Sequence, residues 1–219
     1  MLMLKIIQVS LGRALRSRSE RIVSFGFILS FSAVAALGIG PEAFKMPEIG
    51  VGLLWLALLL SLSLAVPNFV ARDEEQGVLA QLQLLPLPLG AMLLAKALGV
   101  FLASMLPLLV CVPLIGIVYT LPWEILWQSM LCLLLGGWCY WLICASASML
   151  LLGSARAAAL QLLLTLPLGV PVLIFGCAAS LRTGEAFTAA ILLLAACALA
   201  LSALSPWLMA LLLRVYRRA

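Results

Sequence analysis

Histidine is absent from this sequence, and charged residues are scarce. Lysine, arginine, aspartate and glutamate make up 10% of its 219 residues, and only eight residues are acidic. A soluble domain of this length needs a larger charged surface to remain in water, so the composition excludes that class of protein. The absence of histidine removes the side chain that most often serves as a general base or a metal ligand. An enzyme is therefore the least favoured class.

The six cysteines do not replace the missing histidines as metal ligands. No two of them form a CxxC pair, and each lies within a long apolar run. We therefore interpret them as small apolar packing residues, and the sequence predicts neither a metal site nor a disulfide framework.

Hydrophobic residues make up 66% of the chain and form long runs. A helix that spans a bilayer needs about 20 predominantly apolar residues, and seven charge-free runs reach that length. The predicted class is an all-α polytopic membrane protein. No cleavable signal peptide is expected, because the first apolar run follows a long basic segment and leads into further spans. The seven charge-free runs are Ile22–Pro41, Ile49–Ala71, Gln76–Ala95, Ala97–Trp123, Ile125–Ala155, Ala157–Leu181 and Ala186–Leu213.

The run Gln76–Ala95 is the doubtful span. It contains three glutamines, two glycines and two prolines, which suit a surface helix and a turn better than lipid-exposed backbone. With six spans and an internal N-terminus, eleven basic residues are cytoplasmic and only Lys45 and Arg182 are external. With a seventh span, seven basic residues would be cytoplasmic and six would be external. The positive-inside rule therefore favours six spans with both termini in the cytoplasm. Topology thus accounts for most of the net charge of +5, and no nucleic-acid partner is implied.

The predicted organisation is a single transmembrane domain. Residues 1–21 form an amphipathic helix on the cytoplasmic surface, because Leu4, Ile7, Leu11 and Leu15 recur at helical spacing among basic residues, so their apolar stripe would lie in the membrane interface. The spans are predicted at 22–40, 49–70, 91–119, 125–152, 157–180 and 186–213, with a cytoplasmic helix at 73–85.

Two features of the predicted spans bear on mechanism. Pro167 and Pro171 lie within the fifth span and are expected to distort or break its helix. The spans also contain almost no ionisable groups, and Lys96 is near enough to the inner surface for its ammonium to reach water. Ion-coupled transporters usually carry ionisable residues within the membrane, so their scarcity argues against a secondary transporter. Energy for an uphill step must then come from a partner.

The most distinctive segment is acidic and follows the second span. Three of the eight acidic residues, Asp73, Glu74 and Glu75, stand consecutively after Arg72. Asp73 is a predicted N-cap to which Gln76 can reach back, and both glutamates occupy the first turn, where the helix dipole favours negative charge. The helix is predicted to continue through Gly77, Leu79, Leu82 and Leu85. It ends at a turn that contains Pro86 and Pro88.

This predicted helix at 73–85 would lie along the cytoplasmic surface between the second and third spans. We interpret it as a docking element for a cytoplasmic motor, because three clustered acids are unfavourable against an anionic leaflet. The alternative is an interfacial helix that only anchors the protein in lipid.

The motif E-x-G-x-x-x-x-L, followed by the proline turn, resembles the membrane subunits of type-2 ABC exporters. More narrowly, the whole chain resembles the CcmB, or haem exporter protein B, family of cytochrome c maturation. The matching features are Gly40-Pro41-Glu42, Arg72-Asp73, Gly77, Leu82, the segment from Leu85 to Leu89, Ala95-Lys96 and the segment from Leu166 to Phe175.

The resemblance implies a permease of the bacterial inner membrane, with six spans, an N-terminal interfacial helix and a coupling helix between spans two and three. It implies a complex with the ATP-binding subunit CcmA, with CcmC and CcmD, and indirectly with the haem chaperone CcmE. Two copies of the chain would be present by analogy. This chain would be non-catalytic, the partner would bind ATP and magnesium, and hydrolysis would release the haem-loaded chaperone from CcmC.

Haem contact with this subunit is left open by the resemblance, and no cofactor of its own is expected. The aromatic segment from Gly136 to Trp141 has no acidic neighbour, and we interpret its rings as packing or lipid contacts. Two alternative functions are a type-2 permease for another amphiphile, such as a lipid-linked glycan or a drug, and a membrane scaffold without a motor.

Overall fold

The computed structural model describes residues 2–16, 18–65, 70, 73–74, 77–78, 86–154 and 157–217. Within these ranges the chain is helical and contains no strand. A short 3₁₀ helix, Pro41–Lys45, joins α2 to α3. The α-helices are α1 (Leu2–Arg16), α2 (Arg18–Ile39), α3 (Pro47–Ala65), α4 (Leu89–Val118), α5 (Trp123–Leu150), α6 (Ala157–Ser180) and α7 (Glu185–Tyr216).

Among the described residues, six helices, α2 to α7, are long and apolar enough to cross a membrane. The predicted class of polytopic helical membrane protein is therefore confirmed. The bounds of α6 coincide with the predicted span, and α4 and α5 each begin two residues earlier than predicted. Their early starts follow from Pro88 and Pro122, which precede each helix in an extended conformation and fix where it begins.

The run Gln76–Ala95 does not form a seventh span. Residues 86–88 are not helical, and α4 begins after them at Leu89. Prolines 86 and 88 account for this break, because the residue before a proline avoids the helical region and proline itself lacks an N–H. The prediction of a proline turn at this position is confirmed.

The two prolines of the fifth span have a smaller effect than predicted. α6 continues from Ala157 to Ser180 through both Pro167 and Pro171, so neither of them breaks the helix. Each proline removes one backbone N–H donor from the helical hydrogen bonds. The residues on both sides keep their own backbone hydrogen bonds, because unpaired backbone groups are unfavourable in an apolar environment. α4 likewise contains Pro107 and Pro113.

The core surrounds α5, which is the most buried of the spans, whereas α7 is the least buried. Trp55 of α3 is fully buried and its indole lies against Gly136 of α5 and Gly176 of α6, where a side chain would overlap the ring. Its Nε1 donates a hydrogen bond to Ser180 Oγ at 3.1 Å. Trp141 is also fully buried. The burial of Trp141, and of Tyr140 beside it, confirms the predicted packing contacts for these two rings of the aromatic segment of α5.

α1 packs closely on α4 rather than only against lipid. A Cβ atom added at Gly99 would lie 2.8 Å from the carbonyl oxygen of Ile7 and 3.2 Å from the amide nitrogen of Leu11. Ile7 and Leu11 are accordingly half-buried, while Leu4 is exposed. α4 therefore covers part of the predicted apolar stripe at Ile7 and Leu11, and the location of the stripe in the membrane interface stays a prediction.

Candidate functional site

One end of the bundle gathers α1, the start of α4, the end of α7 and residues 73–74. α4 and α7 approach each other at Gly90, where an added Cβ atom would lie 2.6 Å from the carbonyl oxygen of Pro206. The turn after α5 also reaches this end, because Gly153 lies against the ring of Tyr216. Five charged residues meet here and are called the charge cluster below: Arg13, Asp73, Glu74, Lys96 and Arg217.

A buried ion pair lies within the charge cluster. Lys96 Nζ is 2.5 Å from Asp73 Oδ2, and the two side chains are only 8% and 16% exposed. Lys96 lies about 10 Å along α4 from Leu89, at 1.5 Å per residue. A charge at that depth is unfavourable unless an opposite charge accompanies it. Asp73 supplies that charge and ties the segment after α3 to the body of α4.

A second, looser ion pair connects the same segment to α7. Glu74 Oε2 lies 4.0 Å from Arg217 Nη2, and each side chain is 30% exposed. Water competes for both groups at this exposure, so the pair contributes little free energy. Arg13 of α1 is close enough to Lys96 to repel it electrostatically. Lys96 of α4 and Arg217 of α7 thus pair with the two acids.

The acidic segment differs from the predicted helix in two respects. Asp73 and Glu74 are both helical, so Asp73 is not an N-cap. Gly77 has a φ of 69°, and its N–H donates to the carbonyl oxygen of Glu74 at 3.0 Å. A glycine in this left-handed conformation ends a helix, and Val78 is helical again after it. The prediction of one uninterrupted helix at 73–85 that begins at Asp73 is therefore wrong.

The remaining predicted site residues fall into three groups. Pro86 and Pro88 are exposed in the turn before α4. Pro167 and Pro171 lie in α6, which contributes no member of the charge cluster. The others lie outside the described residues, and the predictions made for them stay predictions: Arg72, Glu75, Gln76, Leu79, Leu82 and Leu85.

The sequence argument missed the partners of the acids. It placed the ammonium of Lys96 at the inner surface, whereas the structure buries it against Asp73. A signal was present, because a charged residue inside a span requires a counter-charge and the nearest acids in the sequence were those of this segment. Arg217 gave no comparable signal, since it lies in a basic terminal stretch that topology already explained.

The charge cluster offers mechanical connection rather than catalysis. Its members are two carboxylates, one amine and two guanidinium groups, and four of the five form two ion pairs. The residues that the structure describes contain no group of three or more His, Cys, Asp or Glu side chains placed to hold a metal ion. The geometry can transmit force between a surface segment and two spans.

The sequence matches a known family over almost its whole length. The family described as CcmB protein matches residues 1–216. The heme exporter protein B of Paracoccus denitrificans is 36% identical over 213 residues, which cover 94% of this chain and 97% of that protein. The protein of the same name from Rhodobacter capsulatus is 33% identical, over 94% of this chain and 100% of its own length. That of Haemophilus influenzae is 34% identical over 80% and 79%.

Proposed function

The chain belongs to the CcmB protein family, and from that membership we propose that it is the membrane subunit of a haem exporter for cytochrome c biogenesis. In this proposal a partner ATPase hydrolyses ATP, and this non-catalytic chain converts the resulting movement into haem delivery or into release of the haem-loaded chaperone. The names of its relatives, heme exporter protein B, support haem as the cargo of the complex.

The observation that carries the coupling role is the attachment of residues 73–74 to two spans. Asp73 is held by Lys96 of α4, and Glu74 approaches Arg217 of α7. A surface segment that is tied in this way moves the spans when it is pushed. The partner that pushes it is the ATP-binding subunit CcmA, which also binds ATP and magnesium.

The other partners follow from the family. CcmC and CcmD complete the membrane complex, CcmE is the chaperone that carries haem, and two copies of this chain are present. Six crossings would bring both termini to the same side of the membrane, and the excess of basic residues supports a cytoplasmic location for that side. The family supports a bacterial inner membrane as the location. Haem usually takes a histidine or a similar axial ligand from its protein. The absence of histidine from the sequence supports an arrangement in which other subunits hold the haem, and any axial ligand from this chain would be a methionine, a cysteine or a tyrosine.

A deletion strain tests the cargo. We expect loss of the chain to abolish c-type cytochromes, because haem no longer reaches them, while total haem and b-type cytochromes remain normal. Haem-stained gels and difference spectra of membranes measure both groups, and complementation with the wild-type chain is the control. Normal c-type cytochromes in the deletion strain would refute the proposal and leave export of another amphiphile, or a scaffold role, as the explanation.

A further inference from the structure

We propose that the ion pair between Asp73 and Lys96 is the contact through which movement of the acidic segment reaches α4, and that Lys96 is a positioning residue for coupling. The inference rests on the proposed function, because it requires a partner that acts on this segment. It assigns Lys96 to transmission, not to docking or to cargo binding.

The burial of this pair is the first argument. Both side chains are withdrawn from water, at 8% and 16% exposure. Removing two charges from water costs free energy, and the attraction between the charges often does not exceed that cost. A buried ion pair is therefore weak evidence for a stabilising role. What the pair provides is a directional contact between two specific groups, and such a contact keeps a short surface segment in register with one turn of α4.

The other short ion pair of the described residues shows what an ordinary surface pair looks like. Lys45 and Glu42 also bond to each other, but their side chains are 74% and 81% exposed, and the two residues belong to the same short helix. That pair connects nothing to the bundle. The Asp73–Lys96 pair, by contrast, joins residues from different elements and is enclosed by them.

The surroundings of Lys96 determine what its displacement would move. Gly99, less than one turn further along α4, lies against the backbone of α1 at Ile7, and Gly90 lies against the backbone of α7 at Pro206. Added Cβ atoms at these glycines would approach carbonyl oxygens within 2.8 Å and 2.6 Å, so there is no free space on either side. Close-packed helices transmit small shifts to their neighbours. A force on Lys96 therefore shifts α1, α4 and α7 together.

Neutral substitutions can separate transmission from charge balance. The variants are Lys96→Met, Asp73→Asn and the double variant, each expressed from the chromosome of the deletion strain in place of the wild-type chain. Each single variant keeps one charge of the pair and removes the other, and is expected to lower the amount of protein in the membrane. The double variant removes both charges and is expected to restore the protein to the wild-type amount.

Three measurements decide the proposal: the amount of the chain in the membrane, the amount of CcmA that co-purifies with it, and the amount of c-type cytochrome. For the double variant we expect normal protein, normal CcmA and about a tenfold loss of c-type cytochrome, a change typical of a lost coupling interaction. Lys45→Met, which breaks the exposed pair, is the matched control and is expected to leave all three quantities unchanged.

Two results would overturn the inference. Wild-type amounts of c-type cytochrome in the double variant would show that the pair only balances charge. Loss of CcmA from the double variant would show that these residues serve docking instead of transmission. If the proposed function itself is wrong, the deletion strain will have normal c-type cytochromes before any variant is introduced. That result separates failure of the proposed function from failure of this inference.

Discussion

Asp73 and Glu74 are neighbours in the sequence, yet their ion pairs contribute differently to stability, because the first pair is buried and the second is partly exposed. Removing Lys96 from the buried pair leaves the Asp73 carboxylate without this counter-charge and is expected to cost about 3–5 kcal/mol of stability. Removing Glu74 from its 30% exposed pair with Arg217 costs less than about 1 kcal/mol. Residue type alone does not distinguish these cases, since both are acids beside a base, and burial decides between them.

The glycines that face Trp55 leave no room for a side chain. A methyl group at Gly176 would overlap the indole ring, so we expect Gly176→Ala to destabilise the protein by about 1–3 kcal/mol, the usual cost of overpacking. Gly26→Ala in α2 is the matched control, because an added Cβ there meets no atom within 4 Å and the change raises helix propensity by up to about 1 kcal/mol.

Thermal unfolding of the purified protein in detergent measures both glycine variants. An unfolding temperature for Gly176→Ala that equals or exceeds that of Gly26→Ala would show that the indole can move aside, and that the slot for Trp55 is not rigid.

At the scale of elements, α3, α5 and α6 form one connected body. Ser63 of α3 and Tyr140 of α5 share a buried hydrogen bond of 2.5 Å, and Gln161 Nε2 of α6 donates to the carbonyl oxygen of Cys144 at 3.3 Å. Together with the bond from Trp55 to Ser180, these contacts join the three helices at more than one level. The acidic segment follows α3 along the sequence, and Asp73 is paired with Lys96 of α4.

Docking of the acidic segment on an ATPase is best tested at Glu75. Reversing Asp73 would also break its pair with Lys96, which would confuse lost docking with lost folding. We expect Glu75→Lys to lower the amount of co-purified CcmA about tenfold at low salt, because a reversed charge at an interface replaces attraction by repulsion.

Glu48→Lys is the control for this charge reversal, because Glu48 is an exposed acid in the first turn of α3, on the opposite side of the membrane from the acidic segment in a six-span topology. CcmA that co-purifies equally with both variants would contradict docking through this charge and favour the alternative of a lipid anchor.

At the scale of the whole molecule, the contacts at the two ends agree with six crossings. Phe44 and Tyr119 stack with ring centroids 4.6 Å apart, which brings the connection between α2 and α3 beside that between α4 and α5. At the opposite end, Gly153 lies against Tyr216 and Glu74 approaches Arg217. Connections that an even topology places on one side are therefore neighbours in space.

The orientation of these two ends in the membrane gives a further test. We expect a reporter fused after residue 219 to be active only as a cytoplasmic reporter, and one inserted at residue 43 only as a periplasmic reporter, because basic residues are retained on the cytoplasmic side. Alkaline phosphatase and green fluorescent protein fusions measure the two locations. Phosphatase activity of the C-terminal fusion would invert the proposed topology.

The sequence by itself determined the class of the protein, the six spans, the proline turn before α4 and the presence of an unusual acidic segment. These properties depend on apolarity over about 20 residues and on the local geometry of proline, and neither requires knowledge of distant neighbours. Only the tertiary structure decided that Lys96 is the partner of Asp73, that α1 packs on α4 at Gly99 and that Gly77 interrupts the acidic helix. Which helices lie side by side follows from how all their surfaces fit together, and a buried charge takes the counter-charge that this packing brings within reach.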